Sequence, residues 1–218
     1  MSEPDIIDFL HAREIDLVFD VGANYGQYGR WLRERGYKGR IVSFEPIAEV
    51  FKELEGHAAA DPLWDAHRCG LGAEAGEATI NVSRSTDFSS ILPTRQAADT
   101  FSSEANVART ETISIRTLDE MAAGLDLARS FLKIDTQGFE PQVLAGAGAV
   151  LPRLRGVQME LPVIHLYEGG WTMSEALETM REHGFVLSLT SVVNYHWQDP
   201  CAVVEFDCVF RLRSEIDD

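Results

Sequence analysis

An α/β fold built on an open, mostly parallel sheet is predicted by three features of this 218-residue chain. The first is a strand, a glycine turn, a helix and a second strand in immediate succession, LVFDVGANYGQYGRWLRERGYKGRIVSFEP from Leu17 to Pro46. The second is the recurrence of short apolar runs, Leu17-Val18-Phe19 and Phe131-Leu132-Lys133-Ile134 among them. Runs of this kind are buried on both faces of a parallel sheet. The third is that acids stand where these strands end, Asp20, Glu45 and Asp135. The carboxyl ends of the strands are where an open parallel sheet binds its ligand.

Taken in order, residues Glu3 to Arg13 read as an amphipathic lead-in helix with Ile6, Ile7, Phe9 and Leu10 on one face. After the first strand, Gly22 and Gly26 bracket a turn that also holds Ala23 and Asn24, and small residues there let the backbone approach a ligand. A helix from about Tyr25 to Arg35 stops at Gly36, and Arg40 to Phe44 forms the next strand. Glu45 follows it, and Pro46 ends the ladder. The pattern then gives a helix from Ile47 to His57 ended by Gly56, a short strand around Trp64 to Cys69, and a strand from Ala78 to Val82. Ser83 to Ala108 is irregular, with Asp87-Phe88-Ser89-Ser90 its most distinctive stretch. A loop this long in a compact domain is either functional or a solvated linker.

Thr112 to Arg116 alternates as a strand, and Thr117 caps a helix from Leu118 to Leu125. The central run ending at Ile134 is followed by the turn Thr136-Gln137-Gly138 and a helix from Phe139 to Leu144. Gly156 to Leu161 is a further strand with Glu160 near its end, and His165, Tyr167 and Trp171 fall in the loop after it. Ser174 is read as the cap of a helix from Glu175 to His183. Phe185 to Leu189 and Val203 to Leu212 are the last strands, joined by the aromatic and polar loop Asn194 to Pro200, a lid or a contact surface. The expected organisation is a lead-in helix over residues 1–16, one domain over 17–213 and an acidic tail over 214–218.

The net charge of −16 argues against nucleic acid and anionic membrane as partners, since both repel an acidic surface. Cys69, Cys201 and Cys208 lack metal-ligand spacing and read as buried free thiols. There is no apolar run long enough to span a membrane and no signal-peptide pattern at the start, so the expected location is cytoplasmic.

The turn itself narrows the ligand. A carboxylate about 20 residues past the glycines sits where it accepts both ribose hydroxyls of a nucleoside. A dinucleotide site reads G-x-G-x-x-G around a pyrophosphate, whereas this turn reads Asp20-x-Gly22-x-x-x-Gly26 with no basic side chain in it. An acid without phosphate-binding chemistry suits a ligand carrying an ammonium or a sulfonium, which favours S-adenosylmethionine over a nicotinamide dinucleotide.

Several separated stretches resemble one family, the FkbM-type S-adenosylmethionine-dependent methyltransferases. They are Asp20 to Gly26, Val42 to Pro46, Asp87 to Ser90, Thr117-Leu118-Asp119, Leu132 to Glu140, Val143 to Ala147, Glu160 with Leu166 to Gly169, and Phe206-Asp207. The resemblance implies a Rossmann-like class I methyltransferase fold: a mostly parallel seven-stranded sheet with an antiparallel final strand and helices on both faces. It implies methylation of a hydroxyl on a small molecule or saccharide. Carried onto this chain, Gly22, Ala23, Asn24 and Gly26 lie along the methionine part of the cofactor and Glu45 holds the ribose, with Asp20 and Pro46 also counted as cofactor-binding. Asp87, Ser89 and Ser90 approach the adenosine end, and Asp135 stands between cofactor and acceptor. The general base is Asp135 or His165, with Glu160 orienting either one, and Asp135 with Glu160 also suits a hard cation. No metal is assigned. The competing readings are a nicotinamide-dependent oxidoreductase and a cofactor-binding module without catalysis. Acceptor and oligomeric state stay open, and Leu92 to Glu111 and Asn194 to Pro200 match no family pattern.

Overall fold

The computed structural model describes residues 4–95, 102–196 and 198–215. A capped helix, α1 (Ile6–Ala12), leads into strand β1 (Leu17–Val21), helix α2 (Gln27–Glu34), strand β2 (Arg40–Phe44) and helix α3 (Ala48–Ala59). Three strands follow, β3 (Trp64–His67), β4 (Gly70–Leu71) and β5 (Gly76–Ser83), and then the long β6 (Val107–Arg116). Helix α4 (Leu118–Met121), β7 (Ser130–Ile134), α5 (Glu140–Ala145) and β8 (Gly156–Pro162) come next. The chain closes with α6 (Met173–Glu182), β9 (Phe185–His196) and β10 (Asp199–Leu212).

Seven strands form the main sheet in the order β3-β2-β1-β7-β8-β10-β9. β3, β2, β1, β7 and β8 pair in parallel, and β10 runs antiparallel to both β8 and β9. The class expected from the resemblance is therefore the one observed. Strand order reverses between β1 and β7, which places the switch point at the carboxyl ends of those two strands. A second sheet that the sequence did not announce, β4-β6-β5, stands beside it.

Alternation along β1 shows how the sheet is buried on both faces. Leu17, Phe19 and Val21 join a core with α4, α5 and α6, contributed by Leu118, Leu144 and Met180. Val18 faces the other way, toward Leu10 of α1, Leu32 of α2 and Leu54 of α3. Phe131 of β7 is fully buried in that second core and meets the Phe9 ring edge-on at 5.6 Å. Phe131→Ala is expected to cost roughly 3–5 kcal/mol of unfolding free energy, read from urea denaturation.

Several boundaries differ from the sequence expectation for local reasons. Gly56 does not end α3, which runs on to Ala59 because Ala58 is buried against the sheet. α4 stops at Met121, well short of Leu125, although Thr117 caps it as expected with Glu120 completing the box. The cap of α6 is Thr172, not Ser174: its hydroxyl accepts from the Glu175 amide, and the Glu175 carboxylate accepts from the Thr172 amide. β6 starts at Val107, five residues before the alternation becomes apolar, because it pairs with β5 from Val107 to Ile115. The supposed loop at Asn194 to Pro200 is the tip of a long hairpin, with β9 and β10 paired out to His196 and Asp199. Trp197 lies outside the described residues, as do residues 96–101 of the irregular stretch and the last three residues of the acidic tail. Cys69 and Cys208 are buried, but Cys201 is exposed.

Candidate active site

Asp20, at the level where β1 meets its neighbours, lies in a polar row that crosses the sheet. Ser43 of β2, Asp20 of β1, Lys133 of β7 and Gln158 of β8 are paired in register. All four are buried. The Trp64 indole donates to the Ser43 hydroxyl at 3.0 Å, and that hydroxyl donates to Asp20 at 3.1 Å. The Lys133 ammonium lies 3.1 Å from the other Asp20 oxygen and 3.5 Å from Asp135, and donates to the Gly22 carbonyl at 3.0 Å. Burial works against its charge, yet Asp20 and Asp135 outweigh it and hold the ammonium above its ordinary value. Tyr28 of α2 donates to Gln158 at 2.9 Å.

Above this row the glycine turn and the strand ends enclose a cavity of about 1020 Å³. Gly22 has φ +71°, and a Cβ there would sit 1.8 Å from the Asp135 carbonyl oxygen. Only glycine allows β1 and β7 to close this turn. Asn24 also adopts positive φ, and its side chain donates to Asp87 at 2.6 Å while accepting from Thr86 at 3.0 Å. The Asp87 loop is thereby latched to the glycine turn. Glu45 is buried, and its two oxygens accept from the Asn24 amide at 3.0 Å and the Ile47 amide at 2.8 Å. Burial pushes its carboxyl up to about 7 despite those bonds. Phe44, Ile47, Leu71, Ile80, Ile91 and Phe139 add apolar wall.

At the other end of the cavity, Gln137 donates to Asp135 at 2.9 Å and to Glu160 at 3.2 Å, and accepts from the Tyr167 hydroxyl at 2.8 Å. Glu205 and Asp207 of β10 face the same space, Asp207 standing directly opposite Glu160 in the ladder. Burial raises all three of Glu160, Glu205 and Asp207, with Asp135 adding to each, and Glu205 reaches about 7. Tyr28 and Trp31, stacked with centroids 6.1 Å apart, line the facing wall.

Of the residues singled out from sequence, Gly22, Ala23, Asn24, Glu45, Pro46, Asp87, Ser89, Ser90, Asp135 and Glu160 all line this one cavity. Asp20 lies beneath it, and Gly26 caps α2 at φ +81° behind the turn. Ser89 and Ser90 are held inside the protein, one accepting from the Ser83 amide and the other donating to the Gln137 carbonyl. His165 lies elsewhere, in a recess of about 20 Å³ beside Trp171 that Glu160 and Glu205 also touch. Sequence reasoning did not place Lys133, Gln158, Glu205 or Asp207 in the site; the turn itself holds no basic side chain, as expected, but Lys133 reaches its Gly22 carbonyl from β7. A charge inside the apolar run Phe131 to Ile134, and two acids at alternate positions of a buried final strand, were the available signals. Among the described residues, no cluster of His, Cys, Asp and Glu is arranged to hold a metal ion, and no helix is long and apolar enough to cross a membrane.

The Methyltransferase FkbM domain family matches residues 20–187. AMB antimetabolite synthetase AmbE of Pseudomonas aeruginosa is 27% identical over 206 residues, covering 79% of this chain and 10% of that protein. The chain thus spans about a tenth of the length of that curated relative. Among solved structures, an rRNA methylase from Streptococcus thermophilus matches with a TM-score of 0.52 at 11% identity, over 97% of this chain and 98% of that one. Magnesium protoporphyrin IX methyltransferase (ChlM) of Synechocystis PCC 6803, solved with bound S-adenosylmethionine, matches with a TM-score of 0.52 at 10% identity, over 95% and 76%. At these identities the likeness is one of fold.

Proposed function

Because the chain belongs to the FkbM methyltransferase family, we propose that it transfers a methyl group from S-adenosylmethionine to a hydroxyl of a small molecule or saccharide. The observation that carries this reading is the single cavity that joins the glycine turn and Glu45 to Asp135 and Glu160. Its chemistry fits the cofactor: the glycine turn held against Asp135 for the methionine part, a buried acid for the ribose hydroxyls, and an apolar wall for the adenine. When bound, the cofactor supplies an electrophilic methyl on a good leaving group. The residues of this chain then align donor and acceptor and exclude water, effects worth roughly 7–11 kcal/mol. Asp135 takes the proton of the acceptor hydroxyl, and Glu160 holds it in line through Gln137. Of the two bases the sequence offered, His165 is the less favoured, since it lines a separate recess.

Calorimetric titration with S-adenosylmethionine, S-adenosylhomocysteine and, as control, NAD tests the cofactor half. Transfer of labelled methyl to a panel of sugars and hydroxylated metabolites tests the acceptor half. Tight binding of the first two compounds alone, with label entering a hydroxyl, is the expected result. Binding of NAD instead, or label on nitrogen or carbon, overturns it.

The raised carboxyl of Glu45 gives binding a pH dependence of known sign. Between its ordinary value of 4.5 and about 7, the folded chain keeps a proton that the unfolded chain has released. The stability this residue contributes is complete below 4.5 and is lost as pH rises through 7. Cofactor binding runs the other way, because the ionised acid is the better acceptor of ribose hydroxyls. Affinity is expected to rise several-fold from pH 6 to pH 8, and to lose that rise in Glu45→Gln, both measured by calorimetry.

A further inference from the structure

Lys133 is the cation that faces the cofactor end of the cavity, and its position is over-determined. Its ammonium touches an oxygen of Asp20, an oxygen of Asp135 and the carbonyl of Gly22 within 3.5 Å, and the residue is 8% exposed. Two of these partners are strand-end acids and the third is the glycine turn itself. The ammonium also lies over the Tyr28 ring, 5.5 Å from its centroid.

We propose that Lys133 sets the charge of the cofactor site, and with it the preference for a cationic sulfonium over its neutral demethylated product; this rests on the methyltransferase reading above. Methyl transfer removes one positive charge from the cofactor. A site with Asp135 in its wall and Asp20 beneath it, without compensation, grips the sulfonium hardest before the reaction, and that ground-state grip raises the barrier. Lys133, in the cavity wall between Asp20 and Asp135, offsets one of those charges. Lys133 is thus a positioning and charge-setting residue.

The test is the ratio of dissociation constants for S-adenosylhomocysteine and S-adenosylmethionine, measured by calorimetry on the full chain. Lys133→Met raises this ratio by about tenfold or more, tenfold being the least that one unit charge several ångströms away is worth in a partly buried site. Asp20→Asn lowers it by a similar factor. The double variant returns to within about threefold of the parent, and it keeps the fold because a buried ion pair removed as a pair costs little. Lys133→Arg leaves the ratio in place. Sinefungin, which carries an ammonium where the cofactor carries its sulfonium, follows S-adenosylmethionine throughout. If Lys133→Met does not fold, Asp20→Asn and the double variant carry the same test. A ratio that stays flat across the folded variants, with both affinities falling together, reduces Lys133 to a structural role and overturns the proposal. Failure of the parent protein to bind either compound is a different result, and removes the methyltransferase reading along with it.

Discussion

Gly22→Ala is expected to unfold part of the active site and to abolish cofactor binding. The new methyl group would lie 1.8 Å from the Asp135 carbonyl oxygen and 2.9 Å from its carbon, so the obstruction is backbone and cannot rotate away. Positive φ at +71° adds its own penalty for any residue with a Cβ. Together these give a loss of roughly 2–4 kcal/mol in urea denaturation. The larger effect is functional: separating β1 from β7 moves Asp135 and the turn apart, and misplacement by about 1 Å is enough for a 10²-fold loss. Parent-like stability and affinity in this variant would mean that the turn relaxes freely and that its closeness to β7 serves no purpose.

Glu45→Ala is expected to weaken S-adenosylmethionine by about 10²-fold while leaving the sheet intact. The substitution removes the acid proposed to hold the ribose, and it strands the amides of Asn24 and Ile47, each an unpaired buried donor costing about 1–3 kcal/mol. Asn24 also carries the latch to Asp87, so the cofactor loop loosens with it. Losing a buried carboxyl raised to about 7 returns some of that stability, which is why the expected change in unfolding is modest beside the change in affinity. Calorimetry and urea denaturation on the same preparation separate the two. Unaltered affinity would place the ribose elsewhere.

The parts of the molecule legible from sequence are those where one local rule decides. Leu17 to Phe19 read as a run buried in a parallel sheet and Arg40 to Phe44 as the next strand, and the acids at their ends were found because strand ends are where an open sheet does its work. Less legible was anything settled by a partner far along the chain. β6 begins at Val107 with exposed residues because β5 pairs with it, and no periodicity in Val107 to Glu111 shows that. The hairpin at the end looked like a loop because its residues are aromatic and polar, yet two strands side by side satisfy one another's backbone whatever their side chains. The same holds for the site. Gly22 and Glu45 belong to one continuous unit and could be read together, whereas Lys133, Gln158 and Asp207 meet them only through registers between distant strands.

The polar row of Ser43, Asp20, Lys133 and Gln158 also bears on how this sequence can drift over generations. Each member is registered with a partner on a neighbouring strand, more than 20 positions away in the chain, so a lone change of Asp20 or Lys133 to an apolar residue leaves a buried charge without its counter-ion. Asp20 and Lys133 are therefore expected to be inherited, or replaced, as a pair. Chains that part from this one at a single member of the row should carry a matching change at the next.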